Sequence, residues 1–276
     1  MSAGQAAMSR ATLIDIGANL AHDSFDHDRR EVIARAAAAG VTRIIITGST
    51  AASSRAAQAI ARAYPGRLFS TAGVHPHHAT EFGPETAPQL VEIATDPQVV
   101  AIGECGLDYF RDFSPRPDQR RAFERQLGLA SAMGKPVFLH QREAHRDFLA
   151  IVREQMAGIV GGVAHCFTGT RAEMDAYLDL GLYIGITGWI CDERRGDDLR
   201  EAAVGLPLER VMLETDAPYL LPRSRAAKTS SRRNEPAFLP VVLEATARCM
   251  GVAMEELAAA STSNAERLFG LPAEPP

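Results

Sequence analysis

The chain has 276 residues, 46% apolar and 23% charged, with 29 Lys and Arg against 34 Asp and Glu for a formal charge of −5. This balance fits a globular protein with a sizeable core, either one large α/β barrel or two smaller domains, and it excludes a generally basic nucleic-acid coat while allowing a local positive patch. No run approaches the roughly 18 apolar residues of a membrane span, Met1 to Ala11 lack the apolar core of a signal peptide, and the four cysteines (Cys105, Cys166, Cys191, Cys249) form no CxxC pair, so reduced thiols, a cytoplasmic setting and no membrane partner are expected.

Residues 1–11 read as a flexible tail. Apolar runs then recur at Thr12 to Gly17, Arg43 to Thr47, Leu68 to His75, Val99 to Glu104, Pro136 to His140, Ile159 to His165, Leu182 to Thr187 and Arg210 to Asp216. Helix-length segments rich in Ala, Leu and Arg separate them: Asp26 to Ala39, Thr50 to Tyr64, Thr86 to Thr95, Pro117 to Met133, Glu143 to Gln155, Arg171 to Leu180 and Gly196 to Val204. Two more, Glu235 to Cys249 and Met254 to Phe269, follow the last run. Strands alternating with helices imply parallel pairing, and eight such units predict a single (β/α)8 TIM barrel over residues 12–270, with a tail at 271–276. A doubly wound open sheet is the alternative, but no GxGxxG follows the first run.

The polar residues within these runs carry the chemistry. Four runs end in Glu104, His140, His165 and Asp216, and another in His75. In a parallel barrel these C-terminal tips converge on the face where active sites are built. Alternation of side chains puts Ile102 with Glu104, Phe138 with His140, Val163 with His165, and Met212 with Glu214 and Asp216, leaving Cys105 and Cys166 toward the helices. Taken singly, a strand-end histidine is an ordinary hydrogen-bonded residue and a strand-end acid an ordinary helix cap. Together, Glu104, His140, His165 and Asp216 are a ligand set for a divalent cation, oxygen character suiting Mg2+ or Mn2+ and imidazole suiting Zn2+ or Mn2+.

The segments Ile14 to Leu20, Gly73-Val74-His75-Pro76-His77, Ala101 to Asp108, Pro136 to His140, His165-Cys166-Phe167-Thr168-Gly169, Glu214 to Leu220 and Arg232 to Pro236 resemble, in order, the motifs of the TatD-type deoxyribonucleases. The resemblance runs from about Leu13 to Phe269. It implies a metal-dependent barrel hydrolase, typically a 3′-to-5′ exonuclease on single-stranded DNA or RNA, with a part in clearing damaged DNA. Many relatives carry a His-x-His pair at the end of the first strand, where this chain has Gly17 and Asn19. One branch shares that loss, and Thr187 to Gly196 and Ser230 to Asn234 match the same branch. One well-held cation, Mg2+ in the first instance, is therefore expected, with any second completed by water and substrate phosphate.

On this reading the cation polarises a phosphoryl oxygen, Glu104 and Asp216 are catalytic ligands with Asp216 also the general base, and His75 meets the scissile phosphate or completes the metal shell. Arg223, Arg225, Lys228, Arg232 and Arg233 lie between Pro222 and Asn234 with no acid among them. Such a stretch suits a phosphate backbone, although runs of this kind are commonly solvated loops. Trp189, the sole tryptophan, is the candidate for stacking on bases, and Asn19 is a further substrate contact. A monomer is expected. Two other classes stay open: an amidohydrolase-type enzyme acting on a small ester, lactone or amide, disfavoured because its bridging lysine position holds Glu104, and a non-catalytic binding protein on this scaffold.

Overall fold

Runs of Val, Ile and Leu without alternation are the mark of strands buried on both faces, and here they assemble into one eight-stranded parallel sheet. The computed structural model describes residues 12–223 and 232–272. In chain order and in space the strands are β1 (Leu13–Ala18), β2 (Val41–Ile46), β3 (Leu68–Ala72), β4 (Val99–Asp108), β5 (Val137–Arg142), β6 (Gly162–Ala164), β7 (Tyr183–Ile186) and β8 (Val211–Leu213). The seam between β8 and β1 is closed just beyond the last ladder: Asp216 N–H donates to the Gly17 carbonyl (2.8 Å) and Asn19 N–H to that of Ala217 (2.7 Å). The buried Asp15 carboxyl adds to it, 2.9 Å from the Thr215 amide nitrogen and 2.5 Å from its hydroxyl. Burial pushes Asp15 up to about 8, against the hydrogen bonds from Thr215 and Gly17. The predicted TIM barrel is thus the fold.

Helices α1 (Arg29–Ala38), α2 (Ala51–Arg62), α3 (Thr86–Ala94), α4 (Arg116–Met133), α5 (His145–Gln155), α6 (Arg171–Asp179) and α7 (Asp197–Ala203) alternate with the strands, and α8 (Leu239–Met250) and α9 (Met254–Phe269) follow β8. Local chemistry starts two of them: Thr50 with Ser53, and Thr170 with Glu173, form reciprocal capping boxes that satisfy otherwise orphan first-turn amides. A large core cluster takes in strand and helix residues such as Ile44, Phe123 and Phe148, while a smaller one fills the barrel with Ile14, Ile16, Ile45, Phe69, Phe138 and Met212. Phe269 and Leu271 join the smaller cluster. Leu271 is therefore core, where the sequence reading placed it in the tail. No single helix among the described residues is long and apolar enough to cross a membrane.

The strand boundaries differ from expectation where they matter for the site. β4 runs four residues past Glu104, whereas His75, His165 and Asp216 lie beyond the ends of β3, β6 and β8. The strand-tip carboxylate of the sequence reading is in fact a mid-strand residue.

Candidate metal centre and active site

A break in the β4–β5 register sets the orientation of Glu104. Gly103 pairs with Phe138 and Cys105 with Leu139, so Glu104 is the extra residue of a bulge, the device by which sheets re-aim one side chain. Ile102 belongs to the larger cluster together with Cys105 and Leu107, while Glu104 points into the barrel mouth. Strict alternation had put Ile102 and Glu104 on one side, and the bulge corrects that. Further along, Gly106 has φ +148°, and a Cβ there would lie 1.8 Å from the His140 carbonyl oxygen. Only glycine permits this close approach of β5, and it brings His140 beside Glu104.

Glu104 Oε1 is the hub of the site. It lies 3.0 Å from His140 Nδ1, 3.0 Å from His165 Nε2 and 3.4 Å from His75 Nε2. Among the described residues, donor atoms of His75, Glu104 and His140 lie within 4.8 Å of one another, a spacing that suits a metal ion. Burial would raise the Glu104 carboxyl, but His75 and His165 hold it well below the usual carboxylate range. Burial keeps His75 well below the ordinary imidazole value although Glu104 pulls the other way, and a neutral imidazole is what a metal requires. Behind the cluster, Asp108 Oδ2 is 2.8 Å from His77 Nε2 and 3.3 Å from His140 Nε2. Burial opposes ionisation of Asp108, and these two imidazoles outweigh it, lowering its carboxyl.

His165 is held differently. Its Nδ1 sits 2.9 Å from Glu214 Oε2 while Nε2 faces Glu104. Burial lowers it, yet the carboxylates of Glu214 and Glu104, between which it is clamped, raise it well above the usual value. Glu214 occupies a niche made by two glycines: a Cβ at Gly17 would lie 2.4 Å from its Oε2, and one at Gly185 2.4 Å from its Oε1. The Cys166 amide donates to the same carboxylate at 2.5 Å. The space beside Gly17 at the end of the first strand is thus filled by a carboxylate from beyond the last strand.

Asp216 also lines the mouth. Asn19 Nδ2 donates to its Oδ1 at 3.0 Å, so Asn19 orients Asp216. Burial, with Glu104 and Glu214 adding and His165 opposing, pushes Asp216 up to about 7, the range suited to proton transfer at neutral pH. Of the sequence-derived ligand set, the structure brings Glu104, His140 and His165 together around one oxygen, adds His75 to them, and sets Asp216 on the other side with Asn19.

Several outer assignments change. Trp189 is only 7% exposed, its Nε1 donates to the Arg195 carbonyl, and the guanidinium groups of Arg195 and Arg142 lie 4.2 and 5.1 Å from the ring centre. Its ring supports arginines and is not an open platform for a base. Arg233 is tied to Asp28 at 2.7 Å and Glu235 at 3.0 Å and covers the Phe25 ring, which commits its charge to the fold. Arg223 faces Asp192 at 3.5 Å. Arg232 is exposed, and Arg225 and Lys228 lie outside the described residues. Cys166 lines the cleft instead of facing the helices, and burial pushes its thiol up to about 12.

The cleft over the cluster has a volume of about 530 Å³ and is lined by Asn19, His77, Arg111, Phe113, Arg142 and Tyr219 besides the residues above. The sequence motifs include His77, Asp108 and Glu214 but assign no role to them or to Arg142. Asp108 lay within the quoted motif, and the four-residue step from Glu104 was its one visible signal. Glu214 opened a quoted motif and shared a side with Asp216, but its partners sit on β1, on β7 and just beyond β6.

The chain matches the model of a family described as TatD related DNase over residues 14–270. It is 53% identical over 259 residues to a protein of Pantoea sp. (strain At-9b) named 3′-5′ ssDNA/RNA exonuclease TatD, the match covering 94% of this chain and 100% of that one. Among solved structures it resembles the TatD homologue YjjV of Escherichia coli, with TM-score 0.87, 28% identity and coverage of 95% of this chain and 99% of that one. A TatD family hydrolase of Entamoeba histolytica gives TM-score 0.85 and 27% identity, covering 96% of this chain and 100% of that one.

Proposed function

The chain belongs to the TatD-related DNase family, and from that premise we propose that it is a metal-dependent nuclease that hydrolyses phosphodiester bonds of single-stranded DNA or RNA from the 3′ end. The observation that carries this reading is the buried Glu104 oxygen faced by three imidazoles at the C-terminal mouth of the barrel. A carboxylate with two close imidazoles, one kept neutral, is a donor set that fits a divalent ion. His75, Glu104 and His140 would hold it, with His165 adjoining. The chemistry such an ion supplies when bound is polarisation of a phosphoryl oxygen and a water acidic enough to attack at neutral pH.

The chain's own groups do the rest. Asp216, fixed by Asn19, takes the proton from the attacking water. Asp108 fixes the His140 ring from behind, as carboxylates commonly do for ligating histidines. Arg111 and Arg142 at the rim meet the phosphates. The sequence reading favours Mg2+, whereas two imidazoles against one carboxylate favour Mn2+ or Zn2+; stripping the protein and reloading each ion separates them. A monomeric state, a cytoplasmic site and a part in clearing damaged DNA stay with the proposal as expectations from the sequence.

The test is 5′-labelled single-stranded DNA and RNA incubated with Mg2+, with EDTA and with Glu104→Ala protein. A metal-dependent ladder shortened from the 3′ end, absent in the variant, is expected. Intact nucleic acid in every lane would overturn the proposal.

A further inference from the structure

Among the described residues six large hydrophobic side chains are exposed: Phe110, Phe113, Val160, Val204, Tyr219 and Met254. All three aromatic ones follow β4 or β8, and Phe113 (67% exposed) and Tyr219 (52%) line the cleft over the metal cluster. In an eight-stranded barrel of sequential order, β4 and β8 stand on opposite sides. The two rings therefore face the cleft from opposite rims, with the Glu104 cluster between them.

Both rings are held in place. Phe113 packs 4.7 Å from His77, whose Nε2 is fixed by Asp108, and Ser114 next to it donates to the His77 carbonyl at 2.9 Å. Tyr219 meets the His22 ring edge-on at 5.8 Å, and its carbonyl accepts from Asn234 Nδ2 at 2.7 Å. Between the rims Arg142 lies over Phe110 at 4.5 Å and over Trp189 at 5.1 Å, and Arg111 also lines the cleft. Aromatic faces held open beside guanidinium groups are the combination that binds unpaired bases and their phosphates.

We propose that Phe113 and Tyr219 are two base-stacking subsites, one on each side of the scissile phosphate, with Arg111 and Arg142 holding the phosphates between them. This rests on the nuclease reading and deepens it: the substrate is recognised by the π-faces of bases free on both sides, which a paired strand does not offer, and sequence preference is weak because every base has such a face.

The test compares (dT)10 with a ten-unit oligomer of the same backbone whose two 3′-terminal residues are abasic, using loaded full-length protein. Each stack is worth about 5- to 150-fold, so with wild type removing both bases raises KM by about the product of two such factors. Phe113→Ala and Tyr219→Ala each raise KM for (dT)10 by one such factor, about 5- to 150-fold, the double variant treats the two oligomers alike, and Phe113→Trp keeps the wild-type preference. Val204→Ala, an exposed apolar change elsewhere, keeps wild-type values. A double variant that still distinguishes the two oligomers as wild type does would overturn the inference alone. Wild-type protein that leaves (dT)10 whole would overturn the nuclease reading and the inference with it.

Discussion

The two sides of the barrel mouth are built from different chemistry. On the β3–β6 side, His75, His140 and His165 surround one oxygen of Glu104, with His77 and Asp108 behind. On the β8–β1 side there is no imidazole in the corresponding place: Gly17 leaves room, the Glu214 carboxylate fills it, and Asn19 holds Asp216. On the proposed function the first side would hold the cation, and the second would handle the proton and position the first through His165. Gly17 thus leaves no hole at the first-strand end, because its missing side chain makes room for a carboxylate that clamps a histidine of the other side.

The comparison breaks most visibly at Asp216. Asp216→Asn keeps the hydrogen-bonding shape and removes the proton acceptor, so single-turnover cleavage should fall about 10²- to 10⁴-fold while metal affinity, followed by calorimetry, stays near wild type. Equal loss of metal binding would move Asp216 to the cation-holding side.

Gly17→Ala probes the niche itself. The new Cβ meets Glu214 Oε2 at 2.4 Å, so the carboxylate must shift and His165 loses its clamp. Loss of a group that orients a site histidine costs about 10- to 100-fold, and Gly17→Ala with Glu214→Ala should lose less than the two singles multiplied, since both act on one contact. Full additivity would mean that Gly17 and Glu214 act independently.

The smallest effect concerns the seam under this wall. The Asp15 carboxyl, raised by burial to about 8, is protonated in the folded chain and ionised in the unfolded chain between roughly pH 4 and that value. Because the folded state then binds more protons, its contribution is full below about pH 4 and is lost as pH rises through about 8. Thermal melting should therefore show a fall in Tm across that window which Asp15→Asn flattens. Parallel wild-type and variant curves would show that Asp15 is ionised in the fold.

Much of this was readable from sequence, and the failures have physical causes. The barrel was legible because βα alternation is periodic, and Glu104, His140 and His165 because an ionisable residue stands out at the end of an apolar run. The bulge at Glu104 was not, since strand patterning carries period but not the extra residue that resets it, and Ile102 was placed on the wrong side as a result. Arg233 read as free charge because its partner Asp28 lies 205 residues away, and Trp189 read as open because nothing local shows that Arg142 and Arg195 cover it. Glu214 needed three strands at once to acquire a role.

If the β3–β6 side holds the cation, an anomalous-difference map from crystals loaded with Mn2+ will have its strongest peak within bonding distance of His75, Glu104 and His140; a strongest peak bound by Glu214 and Asp216, with His75 and His140 bare, would contradict this.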